Sequence, residues 1–300
     1  MKYFFAKKIC SILPPIVAQT VRNKIISTKE GESLSLDFVK KSFTGSSFYG
    51  NTSDFHSFKF SIHGYFDWRN VIITKTVLDN FSDGDIIEVG ANVGTETISF
   101  ADVAKKHNRQ VYAYEPVLSN FGSLERIKKE NNLNNLKLFL TIVSNYVGTA
   151  NFKVPSKNHS GSGHITNDKS EHEFPVVKLD DNHRDHKIGL ICMDVEGFEY
   201  QVLLGALEII KNQNPFLILE VNKNYLEERG NITLLEMHKF LTSLNYECYY
   251  VKSMGIVKVD IDNFEVYTNK NWLCIPNKFA VSHKKISNSI FWNAINPFVS

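Results

Sequence analysis

Residues 86–94 read IIEVGANVG. A short apolar run closed by a glycine turn reads as a strand entering a helix, and the segment after Gly94 carries Ile98, Ala101 and Ala104 at helical spacing. Outward from this point the same alternation recurs. VYAY (111–114) reads as a second strand, followed by a helix carrying Phe121, Leu124 and Ile127. LKLFLTIV (136–143) is a third apolar run and GLICM (189–193) a fourth. After the fourth, Tyr200, Leu203, Leu204 and Leu207 give the i, i+3, i+4, i+7 stripe of a half-buried helix. FLILEV (216–221) is a fifth strand, and a helix with Leu234, Leu235, His238 and Leu241 follows it. YECYYV (246–251) and WLCI (272–275) read as late strands with a hairpin between them. Continuous apolar strands separated by amphipathic helices predict an α/β fold whose parallel sheet is covered on both faces. The terminal hairpin adds one antiparallel strand at the end of that sheet.

The 300 residues are 43% hydrophobic and 22% charged, ordinary globular composition that excludes a disordered or fibrous chain. A formal net charge of +2 gives no electrostatic reason to expect a nucleic-acid partner. The four cysteines (Cys10, Cys192, Cys248, Cys274) are scattered and lack CxxC spacing, so neither a disulfide framework nor a zinc site is expected. No HxxxH or similar ligand set supports a metal, and a reducing, cytoplasmic setting fits best. Three zones divide the chain: residues 1–80, aromatic-rich in their second half and without an evident regular pattern; residues 81–276, the alternating unit; and residues 277–300, a polar-then-apolar tail.

No stretch approaches the ~20 continuous apolar residues of a membrane-spanning helix. Lys2, Lys7 and Lys8 precede an apolar run, Ile9 to Ala18, that Pro14 and Pro15 break, so a basic amphipathic leader is expected rather than a signal peptide. For this leader, packing on the body of the protein is the simpler role and contact with a membrane surface the sharper one. The apolar tail FWNAINPFV (291–299) poses the same choice, with a dimer contact as a third role. The sequence leaves the oligomeric state open.

The chemistry concentrates at strand ends. In an open α/β sheet, ligands bind at the carboxyl ends of the strands, and Gly90 and Gly94 permit close backbone approach there. Glu115 closes the second strand, 21 residues after Gly94, where a carboxylate can accept hydrogen bonds from both ribose hydroxyls. A nucleoside-containing ligand follows. A dinucleotide site would read GxGxxG, with N–H groups aimed at a pyrophosphate. Here Asn92 stands between the glycines, and Glu88, two residues before Gly90, would repel pyrophosphate and suit an ammonium or sulfonium. S-adenosylmethionine carries both, plus a ribose. Asp194 and Glu196, in DVEGFE (194–199), and Glu220 end the fourth and fifth strands in the same way. Glu199 is equally well explained as a complement to a helix dipole.

EVGANVGTETISFA, YAYEP, LICMDVEGFEYQVLLGA and LILE together resemble the FkbM-type S-adenosylmethionine-dependent methyltransferases, over roughly residues 84–276. The resemblance implies a Rossmann-like class I methyltransferase sheet of seven strands, the last antiparallel, and O-methylation of a hydroxyl, with sugars in glycans among the family's acceptors. It implies that Glu88, Gly90, Ala91, Asn92 and Gly94 hold the methionine end of the cofactor, that Glu115 holds the ribose, and that Asp194 lies near the sulfonium. Ser144 is the matching candidate after strand three, although Asn145 stands where the family often has Asp.

Methyl transfer needs in-line geometry and a base for the departing hydroxyl proton. Asp194, Glu196, Glu220 and His164 are the candidates, with Glu196 preferred because Asp194 can serve the cofactor. Residues 43–68 hold nine aromatics with His56, His63 and Asp67 interleaved. Most read as extra core. As an N-terminal cap over the acceptor, the segment would offer His56, His63 and Tyr65, with His164 from a glycine-rich loop (159–166). Two other classes compete with a methyltransferase acting on a small-molecule or glycan hydroxyl. One is an NAD-dependent sugar oxidoreductase or epimerase, which the Gly90/Asn92/Gly94 turn disfavours. The other is a non-catalytic nucleoside-binding module.

Overall fold

A computed structural model describes residues 1–156, 158–166, 173–260 and 270–297. The chain begins with α1 (Lys2–Cys10), α2 (Pro15–Ile25) and α3 (Thr28–Glu32). A hairpin of β1 (Asp37–Lys41) and β2 (Ser47–Asn51) follows, then α4 (Phe55–His63) and α5 (Trp68–Asn80). Residues 1–80 thus form helices and one hairpin joined by short loops, a more regular zone than the sequence pattern suggests. Pro14 and Pro15 do interrupt the leader, but Pro15 occupies the first turn of α2, where its missing N–H costs nothing and its fixed φ suits the helix. α1 packs on α2 and α4 through Tyr3, Ala6, Cys10, Ala18, Phe58 and Ile62. α5 lies on a helix (Thr97–Lys106) and a strand (Ile188–Met193) of the next unit, so residues 68–80 already belong to the layer covering the sheet.

That unit runs β3 (Asp85–Val89), α6 (Thr97–Lys106), β4 (Val111–Tyr114), α7 (Leu118–Glu130) and β5 (Leu136–Phe139). Next come β6 (Ile142–Val143), β7 (Gly148–Lys153), β8 (His164–Ile165), β9 (Glu173–Val177) and α8 (Leu179–Asn182). The chain continues through β10 (Ile188–Met193), α9 (Glu199–Leu204), α10 (Leu207–Gln213), β11 (Phe216–Val221), α11 (Lys223–Glu228) and α12 (Leu234–Ser243). It closes with β12 (Tyr246–Lys252), β13 (Gly255–Lys258), β14 (Lys270–Pro276) and α13 (Ser282–Ile295). The main sheet has the order β13-β12-β14-β11-β10-β3-β4-β5. β3, β4, β5, β10 and β11 are parallel, and β14 is antiparallel to both β11 and β12.

Two expectations need correction. The sheet has eight strands rather than seven, because β13 folds back on β12 and extends the edge. The antiparallel strand nearest the parallel set, β14, sits inside the sheet between β11 and β12 rather than at its end. The third apolar run also divides. Phe139 ends β5, and Ile142–Val143 leave for a separate sheet of order β6-β9-β7-β8, with its own core of Val117, Ile142, Ala150, Phe152 and Val176. A single apolar run cannot announce that it changes sheets midway.

The strands are apolar throughout because both faces are buried. Ile86, Leu190, Cys192, Phe216 and Ile218 point into one core, under α5, α6 and α13. Ile87, Val89, Ile191, Met193, Leu217 and Leu219 point into the other. The alternation has a functional consequence. Glu88, Asp194 and Glu220 fall on the same parity as the first set, so all three strand-end acids face the α5/α6 side. The chain order reverses between β3 and β10, and ligand crevices of open α/β sheets form at such a switch point.

The tail helix α13 packs on α5, α2 and β13 and buries Ile286, Ile290 and Ala294. Residues 298–300 of the tail lie outside the described residues. No described helix is long and apolar enough to cross a membrane.

Candidate active site

The turn after β3 is built for close approach. Gly90 has φ +85°, and a Cβ there would collide with the Asp194 carbonyl oxygen. Its N–H and that of Ala91 both donate to the Tyr114 carbonyl at 3.0 Å, which ties the ends of β3 and β4 together. Asn92 takes the left-handed conformation (φ +52°), which Asn tolerates better than most residues. Its N–H donates to Glu115 Oε2 at 2.8 Å. Gly94 (φ +87°) serves packing: a Cβ would lie 2.7 Å from Ile127 and 2.8 Å from Leu124 of α7. Gly90, Asn92 and Asp194 line two cavities, one on each side of this turn.

The first is a polar basin of about 130 Å³. Its floor is a row of strand ends: Glu88 from β3, Asp194 after β10, Glu220 from β11 and Asn271 from β14, whose Cα pairs with Glu220 across the sheet. Its wall comes from helix N-termini. Asp67 and Asn70 stand at the start of α5, Glu96 at the start of α6, and His56 at the start of α4. Asn70 donates to Glu96 Oε2 at 3.1 Å, and Asn271 donates to Asn70 Oδ1 at 3.1 Å and Asp67 Oδ2 at 3.3 Å. Asp67 is held by Arg69 at 2.9 Å.

Burial dominates the electrostatics here. It pushes the Glu88 carboxyl up to about 8, with the nearby Glu115 charge adding to it. It raises Glu96 well above the carboxylate range, with Asp67 next in effect. It does the same to Asp194, reinforced by the Glu220 charge and by a hydrogen bond between the two carboxyls. Asp194 and Glu220 are neighbours on adjacent strands, one residue beyond the paired Met193 and Leu219 of β10 and β11. His56 is driven down to about 4 and is neutral, consistent with its Nδ1 lying 3.3 Å from the Asn92 amide nitrogen. Glu88 Oε2 and Asn92 Oδ1 are buried with no hydrogen-bond partner. A buried carboxyl oxygen left unpaired at a strand-end crevice suits a ligand that brings a donor.

The second cavity, about 60 Å³, is largely an apolar slot. Val117, Ile142, Val143, Phe152 and Phe198 line it, and Glu115 closes one side. Glu115 Oε1 accepts from the Val117 N–H at 2.9 Å and from Asn120 at 3.3 Å. Burial raises its carboxyl to about 7 against these bonds. The glycine-rich loop lines the slot through Ser160, Gly161, Gly163 and His164 and is pinned from two sides. Ser160 donates its hydroxyl to Asp54 at 2.7 Å, Asn120 donates to the Ser160 carbonyl at 3.1 Å, and the Phe55 N–H donates to the Asn158 carbonyl at 3.1 Å. Gly161 is so close that a Cβ would sit 2.8 Å from His56 and 3.0 Å from the Asn92 amide.

The structure thus brings Glu88, Gly90, Ala91, Asn92, Glu115, Asp194, Glu220, His56 and His164 to the two cavities. Six other sequence candidates stand elsewhere. Gly94 packs on α7 as described. Ser144 is buried behind the slot, its carbonyl against Gly205. Glu196, in the left-handed region (φ +55°), has its carboxylate 3.8 Å from Arg229, and Arg229 also donates to its carbonyl at 2.9 Å. It lines neither cavity. His63 and Tyr65 stack on one another away from the crevice, with His63 3.4 Å from Arg22 of α2. Glu199 is structural: its Oε1 accepts from the Val195 and Gly197 N–H groups, both at 3.2 Å, and so braces the turn that carries Asp194. Conversely, Asn70, Glu96, Asn271, Phe152 and Phe198 were not singled out from the sequence. The one local sign was the position of Glu96, two residues into the helix entry that follows the glycine turn.

Comparison with known proteins places the chain. A family profile described as "Methyltransferase FkbM domain" matches residues 88–248, more than half of its length. No curated protein matches significantly. Among solved structures it is similar to a methyltransferase FkbM from Methylobacillus flagellatus, at 16% identity and a TM-score of 0.44, over 85% of this chain and 60% of that one. This chain therefore spans less than two-thirds of that protein's length. It is also similar to a SAM-dependent O-methyltransferase of Thermotoga maritima, at 12% identity and TM-score 0.40, over 70% of this chain and 65% of the other. A third is M. jannaschii TYW2 in complex with AdoMet, at 13% identity and TM-score 0.39, over 79% and 84% of the two chains. On the match of residues 88–248, which takes in the glycine turn and the strand-end acids, the chain belongs to the FkbM family of S-adenosylmethionine-dependent methyltransferases.

Proposed function

We propose that this protein methylates a hydroxyl group, with a sugar or glycan as acceptor. The observation that carries the reading is the pair of neighbouring carboxyls Asp194 and Glu220 on the floor of a basin whose wall offers Asn70, Asn271, Asp67 and Glu96. Such a wall suits a ligand rich in hydroxyls, which both donate and accept.

The residues fit the cofactor on both sides of the turn. The apolar slot of Ile142, Val143, Phe152 and Phe198 is suited to a purine, and Glu115 to the ribose hydroxyls. The unpaired Glu88 Oε2 and Asn92 Oδ1 are suited to an ammonium. When bound, S-adenosylmethionine supplies an electrophilic methyl group on a sulfonium. The chain's own contribution is orientation and a place for the proton. Asn70, Asn271 and Glu96 orient the acceptor hydroxyls, and neutral His56 under Gly161 limits access of water from the α4 side. Glu220, with Asp194 beside it, accepts the proton the hydroxyl loses. The role first assigned to Glu196 passes to this pair because Glu196 is turned toward Arg229.

The test is calorimetric titration with S-adenosylmethionine, S-adenosylhomocysteine and NAD, followed by transfer of labelled methyl to a panel of free sugars, glycosides and simple alcohols. Binding of the two adenosyl ligands and label on a sugar oxygen support the reading. Binding of NAD alone, or label on nitrogen only, overturns it.

A further inference from the structure

We propose that α1 and α13 dock this protein on an anionic lipid surface. α1 carries two apolar faces. Tyr3, Ala6 and Cys10 point into the protein. On the opposite side Phe4, Phe5, Lys8 and, just past the helix end, Ile12 form a second stripe at helical spacing. Phe4, Phe5 and Ile12 are 65%, 56% and 66% exposed. α13 repeats the arrangement. Its inner face buries Ile286, Ile290 and Ala294, while Lys284, Lys285, Phe291, Trp292 and Ile295 are exposed on the other, Trp292 by 65%. α2 packs against both helices, so α1 and α13 belong to one helical layer.

Charge selects the occupant. Residues 1–29 contain six Lys and Arg and no Asp or Glu, and residues 266–300 contain four Lys and no Asp or Glu. All 32 acidic residues lie between these two segments, where they outnumber the 24 basic ones. The chain's near-neutral total therefore hides two basic terminal segments, which carry α1, α2 and α13, beside a net acidic remainder. Lys2 is paired with Glu30 at 2.7 Å, but Lys8, Lys284 and Lys285 lie on the exposed stripes themselves. A second copy of the chain would bring the same cations to the contact, so like charges would meet. An anionic headgroup layer complements the cations and takes up the aromatic side chains at the acyl boundary, as interfacial helices do.

Trp292 makes the protein its own reporter, because Trp68 and Trp272 are each 1% exposed. Vesicles of phosphatidylcholine with phosphatidylglycerol should blue-shift the tryptophan emission and carry the protein into the pellet, and added salt should reverse both. Pure phosphatidylcholine vesicles should do neither. Phe4→Ser/Phe5→Ser and Trp292→Ser should each weaken partitioning about ten-fold, with circular dichroism and S-adenosylmethionine affinity unchanged. Lys8→Glu/Lys284→Glu/Lys285→Glu should abolish the preference for anionic vesicles. The proposal fails if the wild type does not sediment with anionic vesicles. It also fails if sedimentation is indifferent to these substitutions, or if light scattering shows a dimer that Phe4→Ser/Phe5→Ser dissociates while lipid binding is absent.

Discussion

The two cavities share Gly90, Asn92 and Asp194, yet they are built by opposite means. The slot is shaped by side chains of the small second sheet and by Phe198, which arrive from β6, β7 and the turn before α9. Its affinity comes from area, so no single residue decides its chemistry. The basin is shaped by strand parity. Three acids on neighbouring strands must face the same side, and helix N-termini meet them there. Its polar groups are buried, so each one is expensive to leave unmatched. Loss of one group should therefore grade affinity in the slot and switch chemistry in the basin.

The largest effect should come from the basin floor. Glu220→Gln removes the proton acceptor and Asp194→Asn its neighbouring carboxyl, both leaving the shape, so turnover should fall about 10²–10⁴-fold. Affinity for S-adenosylhomocysteine should stay within a few-fold of wild type. Single-turnover kinetics beside calorimetry separates the two, and a parallel loss of binding would mean the pair holds the cofactor rather than the proton. Phe198→Ala, in the slot, should do the reverse. It should cost about 1–2 kcal/mol of cofactor affinity, the scale of a lost aromatic contact and its area, with little change in turnover at saturation.

A third difference is in pH. Glu88 titrates near 8 and Glu115 near 7 in the folded chain, against 4.5 as the ordinary value. Each therefore holds a proton in the folded state that the unfolded chain has released, and stability falls as pH rises through this window. The thermal midpoint of the free protein should drop from about pH 5 to about pH 8, and Glu88→Gln should flatten the curve. A bound ammonium paired with Glu88 would do the same, so saturating S-adenosylhomocysteine should also reduce the slope. A profile that Glu88→Gln leaves unchanged would assign the pH dependence to other groups.

What could be read in the sequence followed from locality. The glycine turn, Glu115, Asp194 and Glu220 all mark the ends of apolar runs, and a run's end is visible without knowing its neighbours. Asn271 was not legible, because its place opposite Glu220 depends on β14 inserting between β11 and β12, a pairing across about fifty residues of chain. Asn70 and Glu96 were missed because helix N-termini converge on the basin only once the sheet is assembled. His56 and His63 show the limit of composition. They lie on one side of α4 but two turns, about 10 Å, apart along its axis. The first reaches the crevice and the second meets Arg22.

Glu196 offers the smallest and sharpest test. It sits in the left-handed region, where a non-glycine residue costs about 1–2 kcal/mol, and such strain often marks a catalytic group. Here the strain has a structural account. The turn must carry Asp194 to the strand end and then enter α9, and Arg229 fixes it through the Glu196 carbonyl while stacking on Tyr225 at 3.7 Å. The carboxylate is held to Arg229 more loosely, at 3.8 Å, with 23% of the side chain exposed. Burial and the Glu220 charge raise it to about 7, and Arg229 opposes them. Glu196→Gln keeps the backbone contact and removes only a partly exposed, loosely paired charge, so turnover should stay within about three-fold of wild type, the scale of a weak surface pair. Glu196→Gly would relieve the strain as well and should leave stability equal or slightly higher. A hundred-fold loss of turnover in Glu196→Gln, with cofactor affinity intact, would return the proton to Glu196 and reduce Asp194–Glu220 to a scaffold.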